Sequence, residues 1–120
     1  MPLLNRKQLM KEYWLQAADK KQAFLNYQKI VLTGVSEVSS WYNRMLGFQR
    51  ISDLKQQEVS ELTMATDIAN DLFLTGYANY LEVLTVRRNV LDAEIQLTES
   101  RREFFLAYIN LYKAMGGGWQ

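Results

Sequence analysis

The 120-residue chain contains no cysteine, no histidine, a single proline and only six glycines. The absence of thiols and imidazoles excludes disulfides, zinc fingers and the usual pairs of nucleophile and general base. So little proline and glycine also leaves few signals for strands and tight turns. We therefore expect an all-α fold that has no enzyme activity and binds neither a cofactor nor a metal.

An excess of charge of one sign and long apolar runs are also missing. The formal net charge is +1, from 14 basic and 13 acidic residues, so nothing indicates a nucleic-acid partner. No run approaches 18 apolar residues, so this segment should not cross a membrane as a helix, and the N terminus lacks the apolar core of a signal peptide. Because 48% of the residues are hydrophobic, the chain should fold as one domain.

Apolar residues instead recur every seven positions, which predicts long helices that pair as in a coiled coil. In the first half, one line contains Phe24, Val31, Val38, Met45 and Val59. Its companion line contains Tyr27, Trp41, Phe48, Leu62 and Ala69. In the second half, one line contains Val83, Val90, Leu97, Phe104 and Leu111, and beside it run Leu84, Leu91, Thr98, Phe105 and Tyr112.

A stop signal followed at once by a start signal divides the two halves. Gly76 is suited to the left-handed residue that ends a helix, and Asn79 with Glu82 three residues later fits a capping box. We predict an antiparallel hairpin with a helix from about 6 to 74, a turn at 75–79 and a helix from about 80 to 115. Residues that face each other should then have numbers that sum to about 154, within a slip of a few residues.

The first predicted helix is unusually long, and its start and continuity are separate expectations. Asn5 and Gln8 resemble another capping pair, which places the start near residue 6 after an extended lead-in at 1–4. The heptad lines weaken at Gly34, Gly47 and Ser52–Asp53, so a break at one of these places remains an alternative to one continuous helix.

The second helix ends too early to cover the whole of the first. About 35 residues at the start of the chain lack an intrachain partner yet carry large apolar side chains, among them Trp14 and Phe24. Trp14 and Trp41 are interpreted as seam residues that pack between helices. Burying large apolar side chains contributes roughly 1.5 to 3 kcal/mol each, so such a stripe should recruit other helices.

The charges are distributed unevenly along the predicted hairpin. Residues 51–100, nearest the turn, hold three basic and nine acidic residues, a net charge of −6, and the remainder holds +7. Either this is an incidental bias of a solvated helical surface, or the acidic groups line a pore or docking site. The four arginines of the second helix, Arg87, Arg88, Arg101 and Arg102, are expected to form exposed i,i+4 pairs.

Four short stretches, in this order and spacing, resemble the C-terminal region of TolC-like outer-membrane efflux proteins of the OprM or NodT type. They are Pro2-Leu3-Leu4-Asn5-Arg6, the run Ala23-Phe24-Leu25-Asn26-Tyr27-Gln28-Lys29 with Glu37-Val38 after it, Gly76 with Tyr80-Leu81-Glu82-Val83-Leu84, and Leu111-Tyr112-Lys113-Ala114-Met115-Gly116-Gly117-Gly118-Trp119. The match covers nearly all of the chain. Thr85 and Ala78 depart from the charged residues found there in other members, so the resemblance does not extend to a gate locked by those charges.

The resemblance implies a trimeric channel whose parent protein lies in the outer membrane, with this segment in the periplasm as part of a helical barrel. A periplasmic adaptor protein would join the channel to an inner-membrane pump. The turn would be the periplasmic tip that meets the adaptor, through Gly76, Tyr77, Asn79, Tyr80, Leu81 and Glu82. Glu82 is also a pore or gate candidate, besides its role in the helix cap. The chain is then expected to be a fragment of a longer channel protein.

A different class of function remains open on the residues alone. The hairpin could be a coiled-coil adaptor or scaffold that binds partner helices without transporting anything. A first copy of the helix pattern and amphipathic strands upstream would favour the channel, and their absence would favour the scaffold. A helical-bundle carboxylate enzyme is excluded, because it needs histidines that the chain does not contain.

Overall fold

The computed structural model describes residues 2–117 and contains two helices, α1 (Pro2–Leu74) and α2 (Tyr80–Ala114). Within residues 2–117 there is no strand, so the predicted all-α class is confirmed. Neither helix has a stretch long and apolar enough to cross a membrane. The chain divides into two compact units, Met1–Val38 and Ser39–Gln120, and α1 contributes residues to both.

The predicted start of the first helix is wrong, because the described part of the lead-in, residues 2–4, is already helical. Proline is favourable at a first helical position, since its fixed φ suits the helix and its missing N–H would have no intrahelical partner there. The Asn5–Gln8 pair consequently lies inside α1 and is not a cap. The helix also continues without a break through Gly34, Gly47 and Ser52–Asp53.

In the first unit, every described side chain up to residue 33 is exposed. Phe24 is 59% exposed and Trp14 is 69% exposed, as expected for apolar residues that nothing in this segment covers. Trp14 does not lie on the heptad line that includes Tyr27 and Trp41; Tyr13 does. The two rings meet edge to face at 6.1 Å, so Trp14 packs on Tyr13, and its role as a seam residue between helices stays a prediction.

In the second unit, α1 and α2 form an antiparallel hairpin around a single apolar seam. From α1, both predicted heptad lines turn inward, and their half-buried or buried members are Trp41, Met45, Phe48, Val59, Leu62 and Ala69. From α2, the first predicted line turns inward through Val83, Val90, Leu97, Phe104 and Leu111. The long helical hairpin with coiled-coil character is therefore confirmed.

The companion line of α2 is not the one that the sequence indicated as running beside the first. Leu84, Leu91 and Phe105 are exposed, at 42%, 59% and 61%. The inward companion line consists of Val86, Ala93, Ser100, Ala107 and Ala114. Because α1 already supplies bulky seam residues such as Trp41 and Phe48, small residues on α2 let the two helices pack closely while its larger apolar residues remain outside.

The register of the hairpin follows from two hydrogen bonds between the helices. Arg87 donates to Asn70 and Arg101 donates to Gln56, and in both pairs the residue numbers sum to 157. The observed register is therefore three residues from the predicted sum of 154, inside the expected slip.

Polar residues interrupt the seam near its middle. The Oγ of Ser52 is buried and has no hydrogen-bond partner, whereas the Ser100 hydroxyl donates to backbone carbonyls of its own helix, including that of Gln96 at 2.7 Å. Lys55 also lies on a seam line and is half-buried, and its ammonium reaches the exposed Glu58 at 2.7 Å. This polar layer therefore interrupts the apolar seam between Leu97 and Ala107 of α2.

Candidate functional site

The turn between the helices begins with a complete C-terminal cap on α1. Gly76 adopts a φ of 84°, as predicted from the sequence, and an added Cβ there would meet nothing within 4 Å. The N–H of Gly76 bonds to the carbonyl of Phe73 at 3.1 Å, and that of Tyr77 bonds to Leu72 at 2.9 Å. This pair of bonds is a Schellman motif, in which a left-handed glycine satisfies carbonyls that the helix end leaves unpaired.

The start of α2 carries the predicted capping box. The backbone N–H of Glu82 donates to the side-chain oxygen of Asn79 at 2.9 Å. In return, the Asn79 N–H donates to a carboxylate oxygen of Glu82 at 3.3 Å. The Glu82 carboxylate is exposed and close to the positive end of the helix dipole, so its capping role leaves it accessible to other groups.

The six residues proposed for the tip thus lie on one short turn and the first turn of α2. Tyr80 packs against Phe73, with ring centroids 5.9 Å apart, and this contact ties the start of α2 to the end of α1. Tyr77 is 85% exposed and Leu81 is 71% exposed, so both project into solvent. The turn therefore combines a backbone fixed by two caps with an exposed apolar apex.

One side of the hairpin carries most of its carboxylates. We call it the acidic face and define it by the residues that a 100° helical step places on the same side of the seam: Glu58, Glu61, Glu82, Asp92, Glu99 and Glu103. No lysine or arginine between residues 56 and 112 shares these helix positions. The other side of the seam holds Asp53, Asp67 and Glu94 together with Arg87 and Arg101, so it carries both signs, whereas the acidic face carries only carboxylates over residues 56–112. Among residues 2–117, no group of acidic side chains converges closely enough to hold a metal ion.

The opposite side holds the two arginine hydrogen bonds, and we call it the clasp face. Arg87 Nη2 lies 3.2 Å from Asn70 Oδ1, and Arg101 Nη2 lies 2.7 Å from Gln56 Oε1. The prediction of i,i+4 pairs is therefore wrong for both arginines, because each bonds to a neutral amide of the other helix. Arg102 instead pairs with the adjacent Glu103 at 2.9 Å.

A recess lies between the helices on the clasp face. It has a volume of about 300 Å³ and is lined by Thr63, Thr66, Asp67, Arg87, Val90 and Leu91. The side chains of Val90 and Leu91 give it an apolar part, and Asp67 and Arg87 add one charge of each sign.

The hydrogen bonds of the clasp face were not predicted from the sequence, although the spacing of the residues that form them contains a signal. Gln56 and Asn70 are 14 residues apart, as are Arg87 and Arg101, so both pairs repeat after two heptads. An antiparallel register can therefore align both hydrogen bonds at once.

Comparisons with known proteins match the chain to one family over almost its whole length. The model of the outer membrane efflux protein family matches residues 1–117. The pyoverdine export outer membrane protein OpmQ of Pseudomonas aeruginosa is 29% identical over 119 residues, covering 99% of this chain and 25% of the relative. The cation efflux system protein CusC of Escherichia coli is 26% identical over 101 residues, covering 84% of this chain and 22% of the relative.

A further relative is the probable outer membrane lipoprotein SilC of Salmonella typhimurium, 25% identical over 122 residues, with 99% of this chain and 26% of the relative covered. No solved structure matches the chain significantly. The chain spans about a quarter of the length of these relatives. The family match, together with the long antiparallel hairpin and its capped turn, shows that this chain belongs to the outer membrane efflux protein family.

Proposed function

We propose that this chain forms part of the periplasmic tunnel wall of a trimeric outer-membrane efflux channel, with its turn as the docking point for a periplasmic adaptor of an inner-membrane pump. The observation that carries the proposal is a second apolar seam on α2. The relatives include proteins named for pyoverdine export and for cation efflux, which supports export as the activity of the whole protein.

The second seam of α2 lies on the side turned away from α1. Its exposed apolar residues follow the spacing of a coiled-coil line, and they are Leu84, Leu91, Ile95, Phe105, Ile109 and Tyr112. A helix with one such stripe packs in a pair, whereas a helix with two stripes packs between two neighbours. This pattern suits a helix in a closed wall, where each helix touches one on either side.

The free energy available from covering this seam is substantial. Ile95 is 57% exposed and Phe105 is 61% exposed, so each still has more than half of its surface to bury. At roughly 25 cal/mol per Å² of apolar surface, six such side chains together contribute several kcal/mol to assembly. The proposed neighbours are helices of the same channel, in a trimer.

The acidic face supports the assignment of a tunnel lining. A wall that separates two compartments has one face toward the lumen, and the segregation of charge gives this hairpin two chemically different faces. We assign the acidic face to the lumen, with Glu82 nearest the tip. A line of carboxylates there would attract cations and repel anions near the narrow end.

The proposed docking point uses the features of the turn. A surface contact gains most from exposed aromatic and aliphatic side chains on a backbone that is already ordered. Tyr77 and Leu81 supply such side chains, and the caps built on Gly76 and Asn79 hold them in place.

A chimera tests the export role. Residues 1–117 replace the matching segment of the P. aeruginosa pyoverdine export outer membrane protein, and pyoverdine in the medium is compared with that in the cells. We expect the chimera to restore export and Leu81→Asp to reduce both export and chemical cross-linking to the adaptor. A chimera that reaches the outer membrane as a trimer but exports nothing would contradict the tunnel-wall role.

The face assignment has its own test in the same chimera. This chain has no cysteine, so single cysteines can be introduced cleanly against a background in which any cysteines of the recipient are replaced. We expect a positively charged thiol reagent to change the single-channel conductance of Glu99→Cys, and to leave that of the exposed Gln57→Cys unchanged. Equal responses at the two positions would remove the argument for an acidic lumen.

A further inference from the structure

Gly117, just beyond the end of α2, lies against the ring of Tyr112. We propose that Gly117 is a positioning residue, which seats this ring at the end of the second seam, where the ring anchors the helix that covers the seam. The covering helix belongs to the proposed tunnel wall, so the anchoring role rests on that proposal. The seat of the ring is a property of this chain alone.

A second Schellman motif ends α2 and brings Gly117 back to Tyr112. Gly116 has a φ of 89°, and its N–H bonds to the carbonyl of Lys113 at 3.0 Å. The N–H of Gly117 bonds to the carbonyl of Tyr112, also at 3.0 Å. In this motif, an apolar contact commonly joins the two residues that the second hydrogen bond connects. Here the contact joins the Tyr112 ring to the backbone of Gly117.

The contact leaves no room for a side chain at position 117. A Cβ added to Gly117 would come closer than 3.0 Å to three adjacent ring carbons of Tyr112, Cδ1, Cε1 and Cζ. It would approach all three almost equally, so Gly117 lies over the face of the ring and not at its edge. At each of the other glycines that the structure describes, an added Cβ would meet nothing within 4 Å. The two glycines therefore have different tasks: Gly116 adopts the left-handed conformation, and Gly117 admits the ring.

This seat fixes a side chain that the hairpin otherwise leaves open. Tyr112 is 56% exposed and follows Phe105 and Ile109 on the outward side of α2. A tyrosine on an open helix surface has two favourable χ1 rotamers, and contact with Gly117 selects one of them. A neighbouring helix then meets a ring that has already lost its rotamer entropy, which strengthens the contact by about two- to tenfold.

Nuclear magnetic resonance of the 120-residue chain, with glycine labelled by carbon-13 at Cα, reports the seat of the ring. The Gly117 signal is the one that disappears in Gly117→Ala. Protons that lie over the face of an aromatic ring are shifted upfield. We therefore expect the Gly117 Hα signal to move downfield in Tyr112→Ala and to stay in place in Tyr112→Phe, which keeps the ring. An unchanged Gly117 signal in Tyr112→Ala would overturn the seat.

Subunit exchange between trimers of the chimera tests the anchoring role. We expect Gly117→Ala to speed exchange at least about twofold, since a free ring makes a weaker contact. Tyr112→Ala should speed exchange further, and adding Gly117→Ala to it should change nothing more, because both substitutions act on one ring. Tyr112→Phe should exchange at the original rate. Gly47→Ala is the matched control, since its added methyl group meets nothing, and it should not speed exchange.

The positioning role and the tunnel wall fail in different ways. If Gly117→Ala sped exchange equally with and without the Tyr112 ring, its effect would come from the helix cap and the positioning role would be overturned. Exchange at the original rate in Gly117→Ala would overturn it as well. An unsubstituted chimera that forms no trimer would overturn the wall and the anchor together, whereas the Gly117 signal would still decide whether the ring is seated.

Discussion

Replacing Gly76 and Gly47 in turn by alanine should change stability in opposite directions. Both glycines are open to solvent, and an added Cβ at either one would meet nothing within 4 Å. Steric contact with the rest of the protein therefore drops out of the comparison. What remains is backbone conformation, since Gly76 has a φ of 84° whereas Gly47 lies inside α1.

The two magnitudes follow from that difference. A left-handed conformation costs an alanine about 1 kcal/mol, so Gly76→Ala should destabilise the hairpin by this amount. In a helix interior, alanine is about 1 kcal/mol more favourable than glycine, so Gly47→Ala should stabilise it. The two variants should then differ by about 2 kcal/mol, or about 8 °C in melting temperature for a chain of this size.

Thermal and urea unfolding, followed by circular dichroism at 222 nm and one protein concentration, measure both effects. A double variant should return close to the stability of the original chain, because the two sites are independent. If Gly76→Ala raised the melting temperature, or if both variants shifted it in the same direction, the left-handed conformation of Gly76 in the capped turn would be contradicted.

Three further predictions concern the cap, the seam and its polar layer. Asn79→Ala should cost about 1 kcal/mol through loss of the N-cap, whereas Glu82→Gln should cost only a few tenths because an amide oxygen still accepts the Asn79 N–H; equal losses in urea unfolding would argue against the capping box. Leu97→Ala should lower the free energy of unfolding by about 2 to 3 kcal/mol because Leu97 is buried. In the same measurement, replacing the exposed Leu91 by alanine should change it by no more than about 0.5 kcal/mol. The reverse order would mean that the inner and outer lines of α2 are exchanged. Ser52→Ala should stabilise the chain by about 1 kcal/mol, since it removes a buried hydroxyl without a partner, and a loss of stability would mean that the hydroxyl is bonded in solution.

The sequence alone determined the class of fold, the place of the reversal and most of the seam. Helix capping depends on residues within one or two turns of each other. The capping roles of Gly76, Asn79 and Glu82 can therefore be predicted from the local sequence. The period of seven likewise identifies which residues of α1 can share a side, since a helix fixes their angular positions. The same reasoning erred at the N terminus, where a capping-like pair competed with the intrinsic suitability of Pro2 for a first helical position.

Only the tertiary structure decided which stripe of α2 faces α1. In α2, two lines of residues could accompany the Val83 line in the seam: the large apolar line that includes Leu84 and the small-residue line that includes Ala93. The small-residue line faces α1 because the bulky side chains of α1 leave little volume across the seam. The hydrogen bonds of Arg87 and Arg101 to α1 could not be predicted from the sequence either. They depend on the helix register, and the predicted register, with facing residue numbers that sum to 154, aligns different side chains from the observed one, with a sum of 157. Local spacing fixes where side chains point around one helix, but the contact between two helices depends on how the shapes of both surfaces fit together.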